Sequence, residues 1–97
     1  MIHESNSILR ESLVVASNEL PVNSEWRHFR TLERYLITGH VILEASDEVG
    51  IVYVCRDGDF VPMVRTAREW CEDVITAGVI VPRFTSAKTL GGLQERG

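Results

Sequence analysis

The stretch Val49-Gly50-Ile51-Val52-Tyr53-Val54-Cys55 constrains this chain more than any other. Side chains alternate across a strand, so Val49, Ile51, Tyr53 and Cys55 share one face and Gly50, Val52 and Val54 the other. Both faces are apolar, which suits a strand inside a sheet with neighbours on either side. The preceding segments supply one neighbour. Arg34 to Thr38 and Val41 to Leu43 are rich in β-branched and aromatic residues, broken only by Gly39 and His40, and the polar run Ala45 to Glu48 connects them to the central strand. On the far side, Arg56-Asp57-Gly58-Asp59 carries the Asp-Gly signal of a hairpin turn. A return strand is expected from Phe60-Val61, with Pro62 at an edge or bulge because it donates no ladder hydrogen bond.

The chain has 97 residues, 44% of them hydrophobic, which bounds it to one small domain with one core. Two cysteines, Cys55 and Cys71, fit neither a disulfide framework nor a four-ligand zinc site, and their apolar surroundings make them small core residues. No apolar run reaches the roughly 18–20 residues that span a bilayer. The start Met1 to Glu4 lacks the basic region and apolar stretch of a secretory leader, so the expected setting is a reducing cytoplasm. Ten basic residues stand against fourteen acidic ones, a formal charge of −4, which argues against a broad nucleic-acid footprint. Nine of the ten are arginine and only Lys88 is lysine. Arginine's planar fork suits carboxylate and phosphate, so a small anion site fits inside the acidic total.

Residues 1–24 read as an amphipathic helix. Leu9, Leu13, Ala16 and Leu20 form one stripe, Ser5 or Ser7 serves as N-cap, Pro21 ends it, and the outer face is acidic and polar. The stripe either packs on the domain or pairs with a copy of itself. A second helix is expected from Ala67, Trp70, Cys71, Val74 and Ile75, with Thr66 and Glu69 as a capping box and Gly78 just past its C-terminus. Val79 to Val81 reads as a closing strand. Residues 25–84 thus make the β domain, and 85–97, with Gly91-Gly92, a loose tail.

Four strings share a pattern: Trp26-Arg27-His28-Phe29-Arg30, Ile51-Val52-Tyr53, Met63-Val64-Arg65-Thr66 leading to Trp70, and Val81-Pro82-Arg83-Phe84. Together they resemble a small prokaryotic and phage family, domain of unknown function 1653, over about residues 26–84. The family pattern reads approximately Y/W-x-H-Y-K-G, V-V-Y, W-V-R-P-x-x-x-F and V-P-R-F. Arg30 and Thr31 stand here for its lysine and glycine, and Met63 and Thr66 for its tryptophan and proline. The resemblance implies an α+β fold: a small, strongly bent, SH3-like antiparallel β-sheet with one packed C-terminal helix, to which this chain adds its N-terminal helix. It brings no established reaction.

The motif residues Trp26, His28, Arg30, Tyr53, Arg65 and Arg83 supply aromatic faces and guanidinium groups, the ingredients of a nucleotide pocket. Each also has a structural use: aromatics close cores, histidine satisfies local hydrogen bonds, and arginines form ion pairs. Nothing has the signature of a nucleophile with its base, paired catalytic carboxylates or a metal cluster, so no catalytic residue, cofactor or metal is expected. Asp57-Gly58-Asp59 is an ordinary turn, since a calcium loop needs ligands over about twelve positions. The expectation is a non-catalytic module that binds or sequesters a small anionic, nucleotide-like ligand, with a phage anti-defence role as one form and no nucleic-acid or membrane partner. The alternative is a protein-interaction module, with a homodimer or larger homo-oligomer formed through residues 5–20.

Overall fold

The computed structural model describes residues 6–87. Helix α1 (Asn6–Glu19) is followed by β1 (Glu25–His28), β2 (Arg34–Leu43), β3 (Glu48–Cys55), β4 (Met63–Thr66), the single turn α2 (Ala67–Trp70), β5 (Asp73–Thr76), β6 (Val79–Pro82) and β7 (Phe84–Ser86). Five strands form one antiparallel sheet in the order β4-β3-β2-β1-β7, and β5 with β6 forms a separate two-stranded ribbon. The architecture is mixed α and β, mostly antiparallel, with two helices. No helix among the described residues is long and apolar enough to cross a membrane.

The central strand lies where its two apolar faces require it, between β2 and β4. On the core side Ile51 is fully buried and Val49 and Tyr53 nearly so, against Ile37 of β2. On the other side Gly50 lets Val41, Leu43 and Val64 close over the strand. The two stretches on either side of Gly39 are one strand, not two. A bulge between Ile37 and Gly39 leaves Thr38 without a register partner. The extra residue shifts the alternation so that Ile37 and then Ile42 both reach the core face.

That face folds over on itself. In a flat sheet the two edge strands of five would stand about 19 Å apart. Yet the Arg65 guanidinium, on edge strand β4, lies 5.7 Å from the ring centre of Phe84, on the opposite edge strand β7. The sheet therefore curls strongly, and its two edges approach across the aromatic core.

Helix α1 covers part of the core face. Ala16 and Leu20 are buried in the main cluster and Leu13 packs against it, so the inward stripe is used within the chain. His40 Nε2 donates to the Leu20 carbonyl at 2.6 Å, tying the end of the helix to β2. Away from that stripe the helix is not wholly the acidic, polar surface expected: Ile8, Val14 and Val15 are exposed. Ser5, one of the two proposed N-caps, lies outside the described residues.

Four further expectations need correction. The second helix stops after one turn. Its cap is as read, with Glu69 N–H donating to Thr66 Oγ1 at 3.0 Å, but Asp73–Thr76 is strand. Val74, Ile75 and Thr76 are β-branched and lose rotamer freedom in a helix, while Ala77 and Gly78 supply the two positive φ angles, 51° and 78°, of a tight hairpin turn. Gly78 is thus a hairpin glycine, and Val74 pairs with Val81 and Ile75 with Ile80. Next, the return strand starts at Met63, not Phe60, whose φ of 58° places it in the connecting loop. Then, Thr85 and Ser86, expected in the tail, pair with β1 instead, and 88–97 lie outside the described residues. Nor is Cys71 a core residue; it is exposed, and Cys55 is half-buried.

Candidate functional site

Strand alternation and register put Trp26 and His28 of β1, Tyr53 of β3, Arg65 of β4 and Phe84 of β7 on the same face of the curled sheet. Arg30 follows in the turn after β1, and Arg83 links β6 to β7. The six candidate residues then divide by what they touch.

Tyr53 and Trp26 serve the core. Tyr53 is buried and packs edge-on against Tyr35 and Trp70. Trp26 is half-buried, meets Trp70 edge to face at 5.9 Å, and donates its indole N–H to Ser24 Oγ at 2.8 Å. Trp70, fully buried, stacks on Phe84 at 3.9 Å between ring centres. These rings extend the central strand's apolar face and join the helical turn to β7.

His28, Arg30, Arg65 and Arg83 come together at the edge of that cluster. His28 lies opposite Phe84 in the β1–β7 ladder and contacts the rings of Phe84, Phe29 and Tyr35. Its Nδ1 accepts the Arg30 backbone N–H at 3.1 Å. Neutral imidazole has one donor and one acceptor nitrogen, so Nε2 carries the proton and is the ring's donor. Burial holds the His28 pKa below its ordinary 6.5, and the positive charges of Arg65, Arg83 and Arg30 push it further down, with Glu33 opposing.

The three arginines are balanced unequally. Arg83 Nη2 donates to Glu72 Oε1 at 3.2 Å, while its backbone N–H donates to the Glu72 carbonyl and its own carbonyl accepts from Phe29. Arg30 lies over the Phe29 ring and Arg65 over Phe84, and neither has a carboxylate partner among the described residues. Arg65 Nε, Arg83 Nε and Trp70 Nε1 are buried with no hydrogen-bond acceptor among the described residues. Elsewhere Arg34 pairs with Asp57 at 2.7 Å, Arg56 with Glu25 at 2.6 Å and Arg68 with Glu48 at 3.2 Å, while Arg27 donates to the Leu32 carbonyl. Glu33, the other carboxylate near His28, accepts the Tyr35 hydroxyl at 3.2 Å, and burial with this bond pushes the Tyr35 pKa up to about 12.

A separate groove of about 470 Å³ lies between α1, the β2–β3 turn and α2, with Ala16, Leu20, Val49, Ala67 and Cys71 among its lining. No local pattern in the chain marks it, because its walls come from three segments distant in sequence. Although Cys71 as a residue is exposed, burial of its thiol pushes the pKa up, and Glu19 adds to the effect. That holds the thiol protonated and poorly nucleophilic. This groove suits an anion poorly, since Glu19, Asp47 and Glu48 line it and Arg68 is the one cation among its described lining residues.

The family model described as "protein of unknown function (DUF1653)" matches residues 24–86, which hold the His28, Arg30, Arg65 and Arg83 cluster. The chain belongs to this family. A crystal structure of a DUF1653 protein from Bordetella bronchiseptica is similar to it, with 32% identity and a TM-score of 0.54 over 65% of this chain and 82% of that one. No curated protein matches. Helix α1 lies outside the DUF1653 match, so the part of the core formed by Ala16 and Leu20 comes from a segment the family model does not include.

Proposed function

We propose that this DUF1653 protein is a non-catalytic binding module that holds a small anionic ligand at Arg30, Arg65, Arg83 and His28. One observation carries this reading: Arg30 and Arg65 lie over rings that His28 contacts, Arg83 adjoins one of them, and Arg65 and Arg83 keep buried Nε donors without acceptors among the described residues. Burying such a donor without a partner costs about 1–3 kcal/mol, which an anion accepting from it offsets. The curl that brings β4 to β7 supports the finer description of the sheet as SH3-like. Sequestration of a nucleotide-like signal by a phage-encoded member is one concrete form of the proposal. Calorimetric titration against a panel of nucleotides tests it, and silence across the panel from folded protein would remove it. Broad nucleic-acid binding would instead show a steep loss of affinity with salt.

A second reading is self-association through α1. The observation behind it is the exposure of Ile8, Val14 and Val15 on α1, Val15 at the rim of the groove, since the stripe of Leu13, Ala16 and Leu20 is spent on the core. Light scattering at two concentrations, on the native chain and on Val15→Glu, tests it. A dimer that the substitution dissociates supports this reading, and a monomer throughout removes it.

A further inference from the structure

We infer that the His28 cluster recognises the phosphoryl group of its ligand and makes no stacking contact with a base. The inference rests on the anion-binding reading above and narrows its ligand class to a compact phosphate or pyrophosphate head, free or carried on a larger molecule.

Two features support it. Base recognition needs an open aromatic face, and Tyr53, Trp70, Phe84 and Phe29 beside the cluster have theirs engaged. Tyr53, Trp70 and Phe84 are buried in mutual contacts, with Phe84 stacked on Trp70 and carrying the Arg65 guanidinium. The Phe29 ring is covered by Arg30 at 5.4 Å. Half-buried Trp26 is held in place, at right angles to Trp70 and with its N–H on Ser24 Oγ. What the cluster offers is donors. They come from three elements, Arg30 in the turn after β1, Arg65 on β4 and Arg83 between β6 and β7, together with His28 Nε2–H. Donors arriving from several directions suit a tetrahedral oxyanion with three or four acceptor oxygens better than a planar carboxylate with two.

The test is calorimetry of the full chain with inorganic pyrophosphate, the diphosphates of adenosine, guanosine and cytidine, adenosine alone, and acetate. Pyrophosphate and the three diphosphates are expected to bind within about threefold of one another, because no base stacking adds its usual 1–3 kcal/mol. Adenosine and acetate are expected not to bind. Equal affinities with and without the nucleoside place recognition in the phosphates. Arg65→Gln and the exposed Arg30→Gln should each weaken pyrophosphate by about tenfold, the scale of one charge-assisted hydrogen bond. Melting curves for both variants check folding, and Arg30→Gln keeps the test valid if Arg65→Gln unfolds. Binding of adenosine, or a spread above about tenfold among the diphosphates, would overturn the inference and leave the anion-binding reading standing. Silence to every compound from folded protein overturns both. Full pyrophosphate affinity in both folded variants overturns the assignment to this cluster.

Discussion

Replacing Gly50 by alanine tests how tightly the second face of β3 is closed. Gly50 has no positive φ, so alanine suits its backbone, and relieving the chain-entropy cost of glycine in a strand should by itself stabilise by about 0.5–1 kcal/mol. The added Cβ, however, meets Val64 Cγ1 at 2.8 Å, Val41 Cγ2 at 3.0 Å and Leu43 Cδ2 at 3.2 Å. Two of these are methyls of β-branched side chains with few alternative rotamers, one of them on the residue directly opposite in the β2 ladder. Overpacking of this kind costs about 1–3 kcal/mol. Val41 and Val64 are partly solvent-facing, 38% and 49% exposed, which lets them yield outward and favours the middle of that range. The difference is a net loss of about 1 kcal/mol, or a fall in Tm of roughly 4–8 °C for a domain of this size. Thermal and urea unfolding followed by circular dichroism measure it. Val64→Ala removes the closest obstruction, so the pair Gly50→Ala with Val64→Ala should lose less than the sum of the single changes. An unchanged or raised Tm for Gly50→Ala would refute the reasoning, as would strict additivity of the pair.

Three other outcomes are expected. Asp57 is held at a pKa of about 2, below its ordinary 3.8, chiefly by the side-chain and backbone hydrogen bonds from Arg34. Its contribution is therefore complete above 3.8 and lost as pH falls through about 2, so Asp57→Asn should flatten the acid limb of a stability–pH curve. An acid limb unchanged by the substitution contradicts this. For His28 the folded pKa is lowered below 6.5, so its contribution is present above 6.5 and lost as pH drops below that value. The imidazole resonance should titrate with a midpoint under 6.5 and move upward when inorganic pyrophosphate offsets the arginines; a midpoint at or above 6.5 in the free protein refutes the crowding of cations around it. Finally, Ala77 holds a φ of 51°, which asparagine tolerates better, so Ala77→Asn should slow amide exchange in β5 and β6 by about two- to fivefold. Unchanged or faster exchange there counts against the turn geometry.

Much of this fold is legible in the chain because its signals are local. The two-faced apolar run from Val49 to Cys55 demands a central strand. The capping box of Thr66 and Glu69 marks where a helical turn starts, and Pro62 stands before an edge strand as its missing N–H requires. The length of that helix was not legible. Apolar residues at helical spacing from Ala67 to Ile75 also suit a turn followed by a ribbon, and pairing of Val74 with Val81 and Ile75 with Ile80 selected the ribbon. Likewise, periodicity identified the inward stripe of α1, but only contact with the sheet determined what it packs against.

The candidate site divides the same way. Sequence alone picked out the residues of the proposed site: a histidine, three motif arginines and their aromatic neighbours, within a chain whose net charge is −4. Their sorting was left to tertiary structure. The rings of Trp26 and Tyr53 went into the core, because burying aromatic surface stabilises a small domain that has few other large side chains. Arg65 and Arg83 met around His28 because the sheet curls until its opposite edges, β4 and β7, face each other. No local pattern encodes that meeting, since it depends on the summed twist and curl of five paired strands.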